Sequence, residues 1–151
     1  ANAGAPKLNA PLAVPANYFE LSFYALAGEP YRLWLRGRAD ANHWANDSVY
    51  VQFDEAVAES GTSLFRIGTT SATTLVLEDA TNAVLDGWGW QDNGYGPGVL
   101  GPAVRFARTG MHTLRVQTRE DGLAIDQLVL SAGRYLFVPP GPPRRDATLL
   151  P

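Results

Sequence analysis

Three short stretches hold the residues whose types and spacing can do chemistry. The first is His43 to Ser48, HWANDS. Trp44 offers a flat apolar ring, and Asn46 and Asp47 offer the amide and carboxylate that bind sugar hydroxyls or a hard cation. Asp47 has an ordinary alternative role, capping the turn into the next strand by accepting a backbone N–H. Asn46-Asp47-Ser48 also matches the N-glycosylation pattern. The second stretch is Gly87 to Gly98, GWGWQDNGYGPG. Trp88 and Trp90 lie two apart and share a face if the segment is a strand. Large aromatics usually go to the core, so one of the two is expected buried and Trp90, nearer the tip, exposed. Gln91, Asp92, Asn93 and Tyr95, among three glycines, make a polar tip suited to a ligand. The third stretch is Thr118 to Asp126, TREDGLAID. A tight turn explains Asp121 and Gly122. It does not explain Arg119 and Glu120, which can clamp a neighbouring loop by an ion pair. Asp126 alternates with Leu128 and Leu130, where an unpaired inward carboxylate is costly. It calls for an arginine, a cation or several amides.

A fourth set, Arg32, Trp34, Arg36, Tyr50, Gln52, Arg115 and Gln117, would line one wet sheet surface if its strands share a face. No phosphate loop, nucleophile elbow, zinc-helix or dinucleotide motif is present, and His43 and His112 fall in different elements. With no cysteine there is no thiolate or disulfide chemistry. Twelve Lys and Arg against 15 Asp and Glu, net −3, argue against nucleic acid as partner. No apolar run approaches the roughly 18 residues of a membrane span, and no signal-peptide pattern is legible at the start.

The elements that position these groups read as strands. In YRLWLRGR (31–38), SVYVQFD (48–54) and HTLRVQT (112–118), apolar and polar residues alternate, as half-buried antiparallel strands require. Further strands are expected at 18–26, 63–68, 73–78, 86–91, 99–107, 124–131 and 134–138. AGEP, ESGTS, RTGM and REDG punctuate them. Many short strands without a helix predict an all-β chain, a two-sheet antiparallel sandwich of jelly-roll type. If every connection reverses direction, 39–47, 69–72, 92–98 and 119–123 share one end, with 27–30, 55–62, 79–85 and 108–111 at the other. That count gathers Asp47, Asp92, Glu120 and Asp121 at one end and leaves glycoside hydrolysis open, given carboxyls roughly 5–9 Å apart. Residues 1–17 are read as a linker or surface-lying segment, 18–138 as the domain, and 139–151 (PPGPPRRDATLLP) as a Pro-rich linker.

From Tyr31 to Leu130 the chain resembles carbohydrate-binding modules of the galactose-binding-like β-sandwich type, families six and thirty-five. AGEPYRLWLRGRA (27–39), NDSVYVQFD (46–54) and TGMHTLRVQTREDGLAIDQLVL (109–130) carry the resemblance. It implies a ligand site among loops at one sandwich end. Trp44 and one of Trp88 or Trp90 would be platforms, and Asn46, Asp47, Asp92 and Asn93 hydrogen-bonders. It also implies a structural calcium, for which Glu20 and Asp126 are the nearest matches. The expectation is a non-catalytic, monomeric module of a secreted, bacterial, multidomain protein, binding a polysaccharide or oligosaccharide. Its rivals are an adhesion or spacer sandwich and a small polysaccharide lyase or glycosidase.

Overall fold

The computed structural model describes residues 5–151; residues 1–4, the start of the segment read as a linker, lie outside the described residues. The chain is all-β. Its strands are β1 (Tyr18–Ala25), β2 (Arg32–Ala39), β3 (Ser48–Phe53), β4 (Ala56–Val57), β5 (Thr73–Val76), β6 (Gly89–Gln91), β7 (Arg105–Phe106), β8 (Gly110–Thr118) and β9 (Leu123–Ser131). They form a four-stranded sheet β1-β8-β3-β5, a three-stranded sheet β6-β2-β9 and a small pair β4-β7, every pair antiparallel.

The alternation in the sequence becomes a sandwich-like core. Val49, Val51 and Phe53 of β3, Leu75 of β5, and Leu114 and Val116 of β8 meet Leu33 and Leu35 of β2. Phe106 of β7 packs edge-on against Phe23, Tyr31 and Phe53. Burying each large apolar side chain contributes about 1.5–3 kcal/mol. The register of β2 against β9 shifts by one residue between Arg36 and Gly37, where Asp126 of β9 has no partner in the ladder. A Cβ at Gly37 would lie 2.8 Å from Leu35, so this crowded bend takes glycine.

The strands expected at 63–68 and 134–138 are absent and that at 99–107 is cut to its last residues, and the loss of the first and third crossings moves the loops. Residues 63–68 run as coil beneath the end of β3, with Phe53 donating to Phe65 O and accepting from Ile67 N. Phe65 there has a φ of 48°, which a strand cannot hold. Of 99–107 only Val104–Phe106 pairs, Val104 bridging to Tyr31 and Arg105–Phe106 forming β7, and 134–138 forms turns. Losing one crossing before β5 reverses β5 and β6; losing another before β8 restores its direction. The loop 77–88 therefore joins 40–47 and 119–122 at one end, where Asp40 N meets Gly122 O and Leu77 N meets Asp47 O. Residues 69–72 and 92–104 lie toward the opposite end, Asp92 reaching back to Arg32 at the start of β2.

Both terminal segments are packed structure. The outer face of the four-stranded sheet carries Tyr50, Gln52 and Gln117, all buried. The N-terminal segment lies over it: Gln117 exchanges hydrogen bonds with the Leu12 backbone, and the Tyr50 hydroxyl donates to Leu8 O. The Gln52 amide donates to the carbonyls of Arg66, Thr69 and Ser71. The outer face of the three-stranded sheet carries Arg32, Trp34, Arg36 and Trp90, each under 6% exposed. Residues 133–150 strap that face. Trp34 Nε1 donates to Tyr135 O at 2.7 Å, Arg32 Nε to Leu136 O at 2.6 Å, and Arg36 pairs with Asp146 at 2.5 Å. A Cβ on Gly89 would sit 1.8 Å from Pro143 O, so the strap seats directly on that glycine. The segment read as a C-terminal linker thus closes the fold. Its prolines leave few N–H groups to satisfy, which suits a chain lying flat over a sheet.

Candidate functional site

The three loops at the common end are joined by a buried carboxyl pair. Asp47 is 1% and Glu120 3% exposed. Asp47 takes the Glu78 amide on Oδ2 at 2.8 Å, fixing the start of the 77–88 loop, and its own N–H donates to Glu120. Glu120 accepts from Ser48 Oγ at 2.5 Å and pairs with Lys7 of the N-terminal segment at 2.9 Å. Burial pushes the Asp47 carboxyl up to about 7; the Glu78 amide opposes this, and the neighbouring Glu120 and Glu78 carboxylates reinforce it. Burial also works to raise Glu120, but hydrogen bonds from Ser48, Lys7 and Asp47 outweigh it and hold Glu120 below the usual range. Below neutrality Asp47 therefore holds a proton beside an ionised Glu120.

Above this pair the loops present an open surface. Residues 40–46 form two 3-10 turns, with Ala41 and Asn42 in the left-handed region. His43 Nδ1 accepts the Ala45 N–H, and the Asn46 amide donates to Asp40 O. These bonds hold Trp44 outward, 59% exposed, its ring stacked on His43 with centroids 5.4 Å apart. Trp44 borders a cavity of about 540 Å³ walled by Asn42, His43, Glu78, Thr81, Asn82 and Leu85. Asn42, whose side-chain oxygen accepts the Gly87 N–H, also borders a second cleft of about 730 Å³. Arg38, Asp40, Asp86 and Asp121 line that cleft. The Asp40 carboxylate makes no hydrogen bond or ion pair among the described residues, while Asp86 pairs with Arg145. No protein family, curated protein or solved structure matches this chain.

The residues singled out in the sequence divide by place. Trp44 stands exposed at the loop end, and Asn46 supports its loop. Asp47, Arg119 and Glu120 reach the same end but face inward; the Arg119 guanidinium meets Ser48 and Glu120 and lies over the Tyr50 ring. Trp88 is half-buried, with Arg36 and Arg38 over its ring at 5.0 and 5.2 Å. Trp90 is 1% exposed beneath the strap, so the tryptophan nearer the tip is the covered one. Asp92, Asn93 and Tyr95 belong to the opposite end, because β6 runs against β2. Asp92 is 2% exposed and saturated by Arg32, Gly94 N and Gly101 N; Asn93 donates to Pro102 O.

The wet strip does not form one surface. Arg32, Trp34 and Arg36 face outward from one sheet, Tyr50, Gln52, Arg115 and Gln117 from the other. Glu20 pairs with Arg115 at 2.7 Å and Asp126 pairs with Arg36, on different sheets, so the two carboxylates are not brought together. Asn42, Asp40, Asp86, Thr81 and Asn82 were not singled out. The first two sit beside Trp44 in the sequence, Thr81 and Asn82 fall in the loop that the strand count placed at the far end, and Asp86 at the start of an expected strand.

Proposed function

We propose that this chain is a non-catalytic carbohydrate-binding module on a jelly-roll sandwich of the galactose-binding-like type, working in a secreted, multidomain protein. The carrying observation is Trp44, held outward on His43 at the rim of one depression that shares Asn42 with a second, polar cleft. An exposed indole stacks on the apolar C–H face of a pyranose, while Asn42, Asp40, Thr81 and Asn82 offer the planar and hydroxyl groups that read its hydroxyls. Such a shallow, wet site gives weak binding per module, which neighbouring modules raise by avidity.

A protonated carboxyl beside an ionised one is also how glycosidases divide acid and base. Asp47 and Glu120 have that pairing, but at 1% and 3% exposure they reach no substrate, so the pair serves the loops. A glycan array with the wild-type chain, followed by Trp44→Ala, tests the reading. Retention on the best polysaccharide is expected to disappear while the melting temperature stays within about 1 °C. Retention unchanged by Trp44→Ala, or product released from the bound glycan, overturns it.

A further inference from the structure

Strand β1 is an edge strand with none of the usual guards. Its outer side pairs with nothing: beyond its ladder with β8, no backbone group of Tyr18–Ala25 hydrogen-bonds elsewhere among the described residues. Natural edges are blunted by Lys, Pro, bulges or a covering loop. YFELSFYA has no Lys, Pro or Gly, runs eight residues without a register break, and its one charge, Glu20, is already spent on Arg115. The strand also exposes apolar side chains on both faces. Phe19 is 42% and Leu21 46% exposed on the core side; Tyr18 (50%) and Tyr24 (62%), with Met111 of β8 (57%), lie on the outer side.

We propose that β1 pairs antiparallel with β1 of a second copy, across a two-fold axis through Leu21, to make one continuous eight-stranded sheet. The sequence is self-complementary in that register. Leu21 meets its own copy, Phe19 meets Phe23, and Tyr18 meets Tyr24, each pair on one face. Glu20 falls opposite Ser22, so no like charges confront each other. Phe19, Leu21 and Phe23 sit over Val116, Leu114 and His112 in the ladder with β8, so their pairing extends both cores into one. Beside Phe19 a cavity of about 400 Å³ opens between β1 and β9 as far as Val49 and Val116, leaving this flank of the core uncovered. The exposed side chains offer on the order of 500 Å² per copy, short of the about 800 Å² per partner of a standard stable interface. Eight backbone positions add to that area. A reversible dimer in the micromolar range follows. It stands apart from the sugar reading, since β1 takes no part in the Trp44 surface.

The chain has no cysteine, so a single introduced one reports the register. Directly opposed antiparallel Cα atoms lie about 4.5–5.5 Å apart, within reach of a disulfide. In the proposed register Leu21→Cys cross-links to itself under mild oxidation. Tyr24→Cys, the more exposed position, does not, because its two copies stand six residues apart, about 20 Å. Light scattering is expected to show the wild-type 151-residue chain passing from monomer to dimer between about 1 and 100 μM. Leu21→Lys, which sets two charges face to face, is expected to stay monomeric with an unchanged circular dichroism spectrum. A wild-type monomer throughout that range overturns the proposal, as does cross-linking at Tyr24→Cys equal to or above that at Leu21→Cys.

Discussion

Asp47→Asn is expected to stabilise the fold at alkaline pH and to do nothing at acid pH. In the folded chain the Asp47 carboxyl is pushed from its ordinary 3.8 up to about 7, chiefly by burial, with Glu120 beside it. Between about pH 4 and pH 7 the folded state therefore holds a proton that the unfolded state has lost. Stability falls as pH rises through that window and is level above it. Each tenfold change in proton affinity is worth about 1.4 kcal/mol, so the ionised form carries a penalty of up to about 4 kcal/mol at pH 8. Asparagine keeps the acceptor for the Glu78 amide and places an N–H₂ where the protonated acid has its O–H, toward Glu120. The gain at pH 8 is then about 2–4 kcal/mol, or several degrees in melting temperature for a domain of this size. Glu120, held low, acts in the opposite sense and only in the acid range, where its contribution is lost as pH falls through its depressed value. Thermal melts of both proteins from pH 4 to pH 9 give the comparison. The gap should close toward pH 4. A variant that melts below wild type at pH 8 would refute the argument, because it would mean that the ionised Asp47 present at that pH stabilises the fold rather than straining it.

Asp146→Ala leaves Arg36 buried with only the partly exposed Asp126, and should cost about 3–5 kcal/mol in urea unfolding. In the wild type, burial works against Asp146, but Arg36 and Thr148 outweigh it and hold the carboxyl below 3.8. That part of the stability is present above the ordinary carboxylate range and fades as pH drops through the lowered value, which an acid titration of the strap would show. Gly89→Ala drives a methyl into the Pro143 carbonyl, so limited proteolysis should cut the 133–150 segment faster than in wild type. Asp92→Asn should leave glycan retention untouched while lowering the melting temperature, since Asp92 holds Arg32, Gly94 and Gly101 at the end away from Trp44.

The long strands were legible because each turns alternate apolar residues toward the core, even where, as in β2 and β3, the opposite face is buried as well: 18–26, 31–38, 48–54, 112–118 and 124–131 all form within a residue or two. What alternation does not carry is how a short apolar run is used. SLFRIG has a strand's composition, yet it hooks under β3 with Phe65 in the left-handed region, and that single segment moved 79–85 and 92–98 to the wrong ends. Trp44 was legible as an aromatic with no apolar partner in a polar loop. Trp90, Asp92 and Gln117 were not, because their burial comes from residues tens of positions away. A proline-rich tail reads as solvated spacer until Arg36 beneath it is seen to take both the carboxylate and the carbonyl of Asp146.

The two straps also bear on when the chain can fold. Leu8 and Leu12 meet Arg119 and Gln117, and Asp146 meets Arg36, each pair over a hundred residues apart. Contacts so distant in sequence slow the search for the native state. During synthesis the three-stranded sheet must wait, with Trp34, Trp90 and two arginines uncovered, until residues 133–150 have left the ribosome. At elongation rates of about 5–20 residues per second that face goes without its cover for on the order of a second or more.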